Sequence, residues 1–216
     1  MNTSRHAWLD VRASHAARWA GPALIVLACA IPAVCAAHVG TDQAAHHEST
    51  SALAAWGGGF LHPFTGIDHW AAMVALGLWS AMTARRAALA PIFFAAFMVV
   101  GAVLGFMNVP IAAVEPMIAC SVFVLGLLVA MRWQMPSWAA ALMAGVFALF
   151  HGAAHGVELA GPMEAFSLAG MLAATLLLQS VGIALGRWLP RRAPWLPRLG
   201  GAALALFGAV LLGPFA

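Results

Sequence analysis

Long apolar runs joined by short connections make up the chain from residue 52 to its end. Because a helix of about 20 apolar residues crosses a hydrocarbon core of roughly 30 Å, six of these runs each predict one transmembrane helix. The connections are rich in proline, glycine and arginine, and none resembles a separate soluble domain. The six predicted spans are residues 67–84, 88–106, 114–131, 137–158, 165–188 and 199–214.

The apolar pattern is interrupted just before the first span. Residues 53–61 are apolar but too few to cross a bilayer, and His62 and Pro63 follow them. Proline disfavours a helical conformation in the residue before it, and the adjacent Thr65 and Gly66 favour a turn. The pattern therefore predicts a short kinked or re-entrant helix ahead of the first span.

The composition agrees with a membrane protein. Apolar residues make up 63% of the chain and charged residues 8%, against about 45–50% and 25% in a typical soluble domain. The arginines occur singly or in pairs between apolar runs, unlike the clustered basic face that binds nucleic acid. We therefore predict an all-α membrane protein, a bundle of six transmembrane helices, and no nucleic-acid partner.

The first 37 residues have the features of a cleavable signal peptide. A basic stretch is followed by a short apolar stretch at 23–33 and by small residues that allow cleavage after Ala36 or Ala37. The alternative is an uncleaved first helix. Residues 38–51 then form a polar tail outside the membrane, and residues 52–216 form the six-helix domain.

Charges are distributed asymmetrically over this predicted topology. If the first span begins outside, every arginine after residue 37 falls on the cytoplasmic side, as the positive-inside rule requires. The acids fall on the outer side or near the outer ends of spans. The pattern predicts a protein of the bacterial cytoplasmic membrane with both mature termini outside. Three spans in each half also permit an inverted repeat.

Histidine and glutamate occupy one face of the fourth span. His151 and His155 are four residues apart and Glu158 follows three later, so the three side chains share a helix face. Ionisable groups inside a membrane are costly and usually functional, and paired imidazoles with a carboxylate suit a divalent transition metal. The alternative is a set of structural contacts between helices.

The start of the first span carries a second group of candidate ligands. His62, Asp68 and His69 lie around the predicted turn, and one of the adjacent Asp68 and His69 can orient the other. Met73, four residues after His69, offers a thioether on the same face or packs as an ordinary apolar residue. In the outer tail, His38 is an accessory candidate for metal capture.

These two groups resemble the motifs of the HupE/UreJ family of nickel and cobalt permeases. The first motif, H-P-x-x-G-x-D-H followed by A-M, matches residues 62–73, and the second, F-H-G-x-A-H-G-x-E, matches residues 150–158. The resemblance extends over essentially the whole chain. It implies that the six ligands handling metal are His62, Asp68, His69, His151, His155 and Glu158.

The sequence therefore predicts a transporter and not an enzyme. We expect a secondary permease or facilitator that takes up Ni²⁺ or Co²⁺ and supplies a metalloenzyme such as urease or hydrogenase. The metal ion is expected as transported substrate and not as a permanently bound cofactor. Two alternatives stay open: an integral membrane metalloenzyme with Glu158 as base, and an accessory scaffold for metalloenzyme maturation.

Overall fold

The structure, a computed structural model, describes residues 51–83 and 86–213. Within these residues it contains seven α-helices and no β-strand. The predicted signal peptide, the tail up to residue 50 and the accessory candidate His38 lie outside the described residues. The helices are α1 (Ala52–Leu61), α2 (Ile67–Thr83), α3 (Leu89–Phe106), α4 (Val114–Met131), α5 (Ser137–Glu158), α6 (Glu164–Arg192) and α7 (Leu196–Leu211).

Four of the helices, α3 to α6, are long and apolar enough to cross a membrane. The chain is therefore a multi-pass membrane protein. Helix α7 is apolar but has 16 residues, and α2 has 17. The count of six spans and the signal peptide stay predictions.

The break before α2 has the predicted position. Ser51 caps α1 by accepting a hydrogen bond from the backbone N–H of Ala54 at 3.2 Å. Pro63 lies in a short 3₁₀ turn, His62–Phe64, and α2 begins after Gly66. Both α1 and α2 pack against α6 in the same order along the chain, so the segment is a kinked helix and not a re-entrant hairpin.

The last two helices differ from their predicted bounds, and a proline lies at each of the two positions. Helix α6 continues past the predicted end at residue 188 to Arg192. Pro190 lies in its last turn, where the loss of one hydrogen bond disrupts little of the helix. Helix α7 begins at Leu196, three residues earlier than predicted, because Pro197 occupies the first turn, where its fixed φ favours a helix.

Helices α3 and α5 pack in parallel with their backbones in close contact. A Cβ at Gly101 would meet the carbonyl of Leu149 and the amide of Ala153, and a Cβ at Gly152 would meet the carbonyl of Met98. Lipid tails are as apolar as leucine, so helices in a membrane associate largely through such close packing of small residues. Glycine at these positions allows the contact.

Helices α2 and α6 pack in the same way. A Cβ at Gly182 would meet the carbonyl of Val74 and the amide of Leu78, and a Cβ at Gly77 would meet the carbonyl of Gln179. Helices α4 and α7 are antiparallel instead, with Gly126 against Ala205 and Gly208 against Phe123. The glycines thus select which helices are neighbours.

The arginines that the structure describes and the candidate ligands lie at opposite ends of these helices. The indole of Trp79, near the end of α2, donates to the carbonyl of Trp133, just after α4. Arg132 contacts the carbonyl of Pro194, between α6 and α7, at 3.4 Å. These contacts bring the arginine-bearing connections to one end, whereas the start of α2 meets the last turns of α5 at the other.

Candidate metal centre

Three side chains from two distant segments form a compact group of metal-binding atoms. Nε2 of His62 lies 2.9 Å from Nδ1 of His155 and 2.9 Å from Oε2 of Glu158. Nδ1 of His155 lies 3.1 Å from the same oxygen. His155 is buried, whereas half of the Glu158 side chain is exposed. The group therefore connects the surface with the interior.

His62 reaches this group because the first span is broken. Helix α1 ends at Leu61, and the 3₁₀ turn redirects the backbone at His62. Thr65 then donates from its hydroxyl to the carbonyl of His62 at 2.7 Å, which closes the turn. The Pro63 position of the motif is therefore structural, because the turn that contains it directs His62 towards α5.

Asp68 and His69 form a pair beside this group. Oδ1 of Asp68 accepts a hydrogen bond from Nδ1 of His69 at 2.8 Å. The ring of His69 lies 4.6 Å from that of His155, centroid to centroid, and 5.6 Å from that of His151. His69 therefore lies between the two histidines of α5, and Asp68 orients it.

His151 is the deepest of the histidines on α5. It is fully buried, and its Nδ1 donates to the carbonyl of Phe147 at 3.0 Å. A carbonyl can only accept a hydrogen bond, so Nδ1 carries the proton and Nε2 keeps a free lone pair. The ring of Phe94 packs 5.6 Å from the His151 ring.

The buried Nε2 atoms of three histidines have no hydrogen-bond partner among the described residues: those of His69, His151 and His155. In all three, Nδ1 contacts an oxygen, from a carboxylate or a backbone carbonyl. Histidines that bind a metal usually hold their second nitrogen in this way. Unpartnered polar atoms are costly inside a protein, and this arrangement leaves three nitrogen atoms able to bind a ligand.

The structure thus brings together all six sequence-predicted ligands. His62, His155 and Glu158 form one group, called the exposed group because the Glu158 side chain is half exposed. His69, held by Asp68, lies between the rings of His155 and His151. Met73 is fully buried one turn further along α2.

The sequence did not indicate the roles of two residues near these histidines. Phe94 is an ordinary apolar residue in a predicted span and carries no sequence signal. Gly66 was identified as a turn residue and as a position of the first motif, but not as a neighbour of Asp68 and His69. A Cβ at this position would lie 2.7 Å from Oδ1 of Asp68 and 2.8 Å from Nδ1 of His69, so glycine leaves room for that pair.

The fold and this centre define a class: a helical multi-pass membrane protein with a cluster of histidines and acids at one end of its helices. The model of the HupE / UreJ protein family matches residues 24–211, and the chain belongs to this family. It is also 40% identical to Protein HupE of Rhizobium leguminosarum bv. viciae over 188 residues, which are 86% of this chain and 93% of the relative. These matches confirm the predicted resemblance to the HupE/UreJ family. No solved structure matches the chain.

Proposed function

We propose that the protein is a permease that carries a divalent transition metal, Ni²⁺ or alternatively Co²⁺, across the bacterial cytoplasmic membrane. The ion enters at the end of the helix bundle where His62 and Glu158 lie, and passes inward along α2 and α5. The permease thereby supplies metal to a metalloenzyme such as urease or hydrogenase. Membership of the HupE/UreJ family supports this proposal.

The observation that carries the proposal is the set of three imidazoles whose buried Nε2 atoms have no hydrogen-bond partner among the described residues. Imidazole nitrogen is a preferred ligand of nickel, cobalt, copper and zinc. The oxygens that accept from Nδ1 of His69 and His151 fix the tautomers that leave their Nε2 atoms free to bind. Either nitrogen of His155 is able to bind, because its Nδ1 contacts Nε2 of His62 as well as Oε2 of Glu158. Structural histidines would instead use both nitrogens in hydrogen bonds, as buried polar groups normally do.

The geometry of the exposed group also favours a bound cation over hydrogen bonds among its three side chains. If His62 and His155 both donate to Oε2 of Glu158, their two N–H bonds converge on one oxygen, with the nitrogens only 2.9 Å apart. A cation bound by all three atoms removes this conflict. Ligands about 2.1 Å from an ion and 90° apart lie about 3.0 Å from each other. The observed separations of 2.9–3.1 Å suit adjacent positions around a square-planar or octahedral ion.

The order of the two groups suggests a direction of movement. Glu158 is half exposed and charged, so it can attract a hydrated cation. His69 and His151 lie deeper and are neutral ligands that replace its water. The sequence contains no P-loop motif for nucleotide phosphates. We therefore propose a secondary permease or a facilitator.

Uptake of radioactive ⁶³Ni²⁺ by cells that lack their own nickel transporters tests this function. Cells that express the chain should accumulate more nickel than cells with the empty vector, and His155→Ala should abolish the difference at equal membrane abundance. Equal accumulation with and without the chain would refute the permease.

The metalloenzyme alternative gives a different result. In that case the purified protein retains a stoichiometric metal ion through dialysis against a chelator. A permease releases its ion readily under the same treatment, because transport requires exchange.

A further inference from the structure

Gln179, in the middle of α6, is a buried polar residue that the centre described above does not use. Its side chain is 1% exposed, and neither its Oε1 nor its Nε2 has a hydrogen-bond partner among the described residues. It is also the only asparagine or glutamine inside a predicted span. A buried amide without partners destabilises a protein, so its presence in an apolar helix requires an explanation.

The packing of the helices shows where Gln179 lies. The pair α2 and α6 has the same glycine contacts as the pair α5 and α3. Gly182 and Gly186 of α6 correspond to Gly101 and Gly105 of α3. The residues at these contacts on α2 and α5 correspond as well, and each pair is separated by the same number of positions in the chain. The pairs are Val74 and Leu149, Gly77 and Gly152, and Leu78 and Ala153.

This correspondence indicates two inverted repeats, α2–α4 and α5–α7. Helices α2 and α6 run in one direction, and α3 and α5 run in the opposite direction, because short connections reverse the chain between successive helices. Helices α4 and α7, the third of each repeat, pack against each other. Transporters built from inverted repeats hold their substrate near the middle of the membrane, where the repeats meet.

Gln179 lies where the two repeats meet. Under the correspondence of α3 with α6, Gln179 is the counterpart of Met98, and Thr175 is the counterpart of Phe94. The hydroxyl of Thr175 lies 3.8 Å from the sulfur of Met98 across this boundary. Under this correspondence, the counterpart of the Thr175–Met98 contact is the pair of Phe94 and Gln179, and the ring of Phe94 packs on His151.

We propose that Met98, Thr175 and Gln179 form a second, deeper binding station for the transported ion, inward of His151. The inference rests on the proposed function. It assigns to the ion a set of donors that combines a thioether sulfur, a hydroxyl oxygen and an amide oxygen. All three residues are buried.

The chemistry of this station suits an ion in transit. The donors are neutral, so they hold a divalent cation less tightly than Glu158 and the imidazoles do. Conduction requires sites that are favourable enough to enter and weak enough to leave. A carboxylate at this depth would retain the ion, whereas a wholly apolar boundary would exclude it.

The test uses Gln179→Leu, Gln179→Met and, as a matched control, Ser180→Ala in the full chain. Ser180 is the neighbouring residue, and its hydroxyl bonds to the backbone of its own helix on an exposed face. Each variant is measured for ⁶³Ni²⁺ uptake in cells, Ni²⁺ affinity in detergent and melting temperature.

We expect Gln179→Leu to lower uptake by about tenfold or more. Its Ni²⁺ affinity should stay unchanged, because the exposed group, His69 and His151 are intact. Its melting temperature should be equal or higher, because an unpartnered amide has been removed. Gln179→Met keeps a donor atom of similar reach and should retain more uptake than leucine. Ser180→Ala should behave as the wild type.

The outcomes separate this station from the proposed function. If the wild type does not accumulate nickel, the proposed function fails. If the wild type accumulates nickel and Gln179→Leu does so equally, the deeper station is refuted. A Gln179→Leu variant that loses uptake together with Ni²⁺ affinity and melting temperature would assign Gln179 a structural role and also overturn the inference. Equal uptake by the leucine and methionine variants would exclude coordination.

Discussion

His62 and His155 are separated by 93 positions in the chain, yet Nε2 of one lies 2.9 Å from Nδ1 of the other. One comes from the turn that breaks the first span, and the other from near the end of α5. The contact holds the start of α2 against the end of α5, at the end of the bundle away from the arginines. It depends on the break, because a continuous helix would not redirect the backbone at His62.

Removal of any one donor of the exposed group should disable the whole group. We expect His62→Ala, His155→Ala and Glu158→Gln each to lower nickel uptake by about 100-fold or more. The His62→Ala/His155→Ala double variant should be little worse than either single variant, because the residues act as a unit. Glu164→Gln, which alters an acid at the start of α6, is the control and should leave uptake unchanged. Additive losses would show that the residues act independently.

Asp68 should act through His69. Its carboxylate fixes the His69 tautomer by accepting the Nδ1 proton at 2.8 Å. Asp68→Ala should therefore lower Ni²⁺ affinity by about 10–100-fold, whereas His69→Ala should lower it further. The measurement is a titration of the purified protein with Ni²⁺. In addition, ¹⁵N NMR of the histidine rings should show mixed tautomers for His69 in the Asp68→Ala variant. A single unchanged tautomer would argue against this orienting role.

Gly66 should be required because only a residue without a Cβ leaves room for the pair of Asp68 and His69. A methyl group there would lie 2.7 Å from Oδ1 of Asp68, which is closer than side-chain atoms pack. Gly66→Ala should displace the pair and lower uptake by about tenfold. The control is Gly58→Ala, because a Cβ at Gly58 meets nothing within 4 Å. If both variants transport equally, the space at Gly66 is not important.

The helices could be predicted from the apolar pattern because a membrane requires long apolar runs. The predicted starts and ends of α4 and α5 agree with the structure, and the break at His62 was evident from Pro63. The shared face of His151, His155 and Glu158 follows from helix periodicity alone. In these places local chemistry determines the structure.

Which helices become neighbours could not be predicted. Apolar side chains contact lipid and other helices equally well, so hydrophobicity does not select partners. The pairing of α2 with α6 depends on glycines such as Gly77 and Gly182. Their positions in the sequence do not indicate which helix each of them will face. The proximity of His62 to His155 depends on that placement. Gln179 could not be predicted as functional, because an uncharged amide is a weaker signal in an apolar span than an ionisable group.

The glycine contacts should contribute measurably to stability. Gly152→Ala would place a methyl group against the backbone of Met98 and push α3 away from α5. We expect it to destabilise the protein by about 1–3 kcal/mol and to lower the melting temperature in detergent. Gly200→Ala is the control, because a Cβ there meets nothing within 4 Å. It should be neutral or stabilise the protein by up to about 1 kcal/mol. Equal melting temperatures would mean that the close contact is dispensable.

The predicted orientation of the helices in the membrane can be tested with reporter fusions. If the arginines lie in the cytoplasm, the connection between α5 and α6 lies outside and the connection between α6 and α7 lies inside. Alkaline phosphatase, which is active only outside the cytoplasm, should be active when fused after Gly161 and inactive when fused after Ala193. Green fluorescent protein at the same two positions should give the opposite pattern. Phosphatase activity of the fusion after Ala193 would show that the topology is the reverse of the predicted one. The group of His62, His155 and Glu158 would then lie on the cytoplasmic side, where it would receive metal for export and not for uptake.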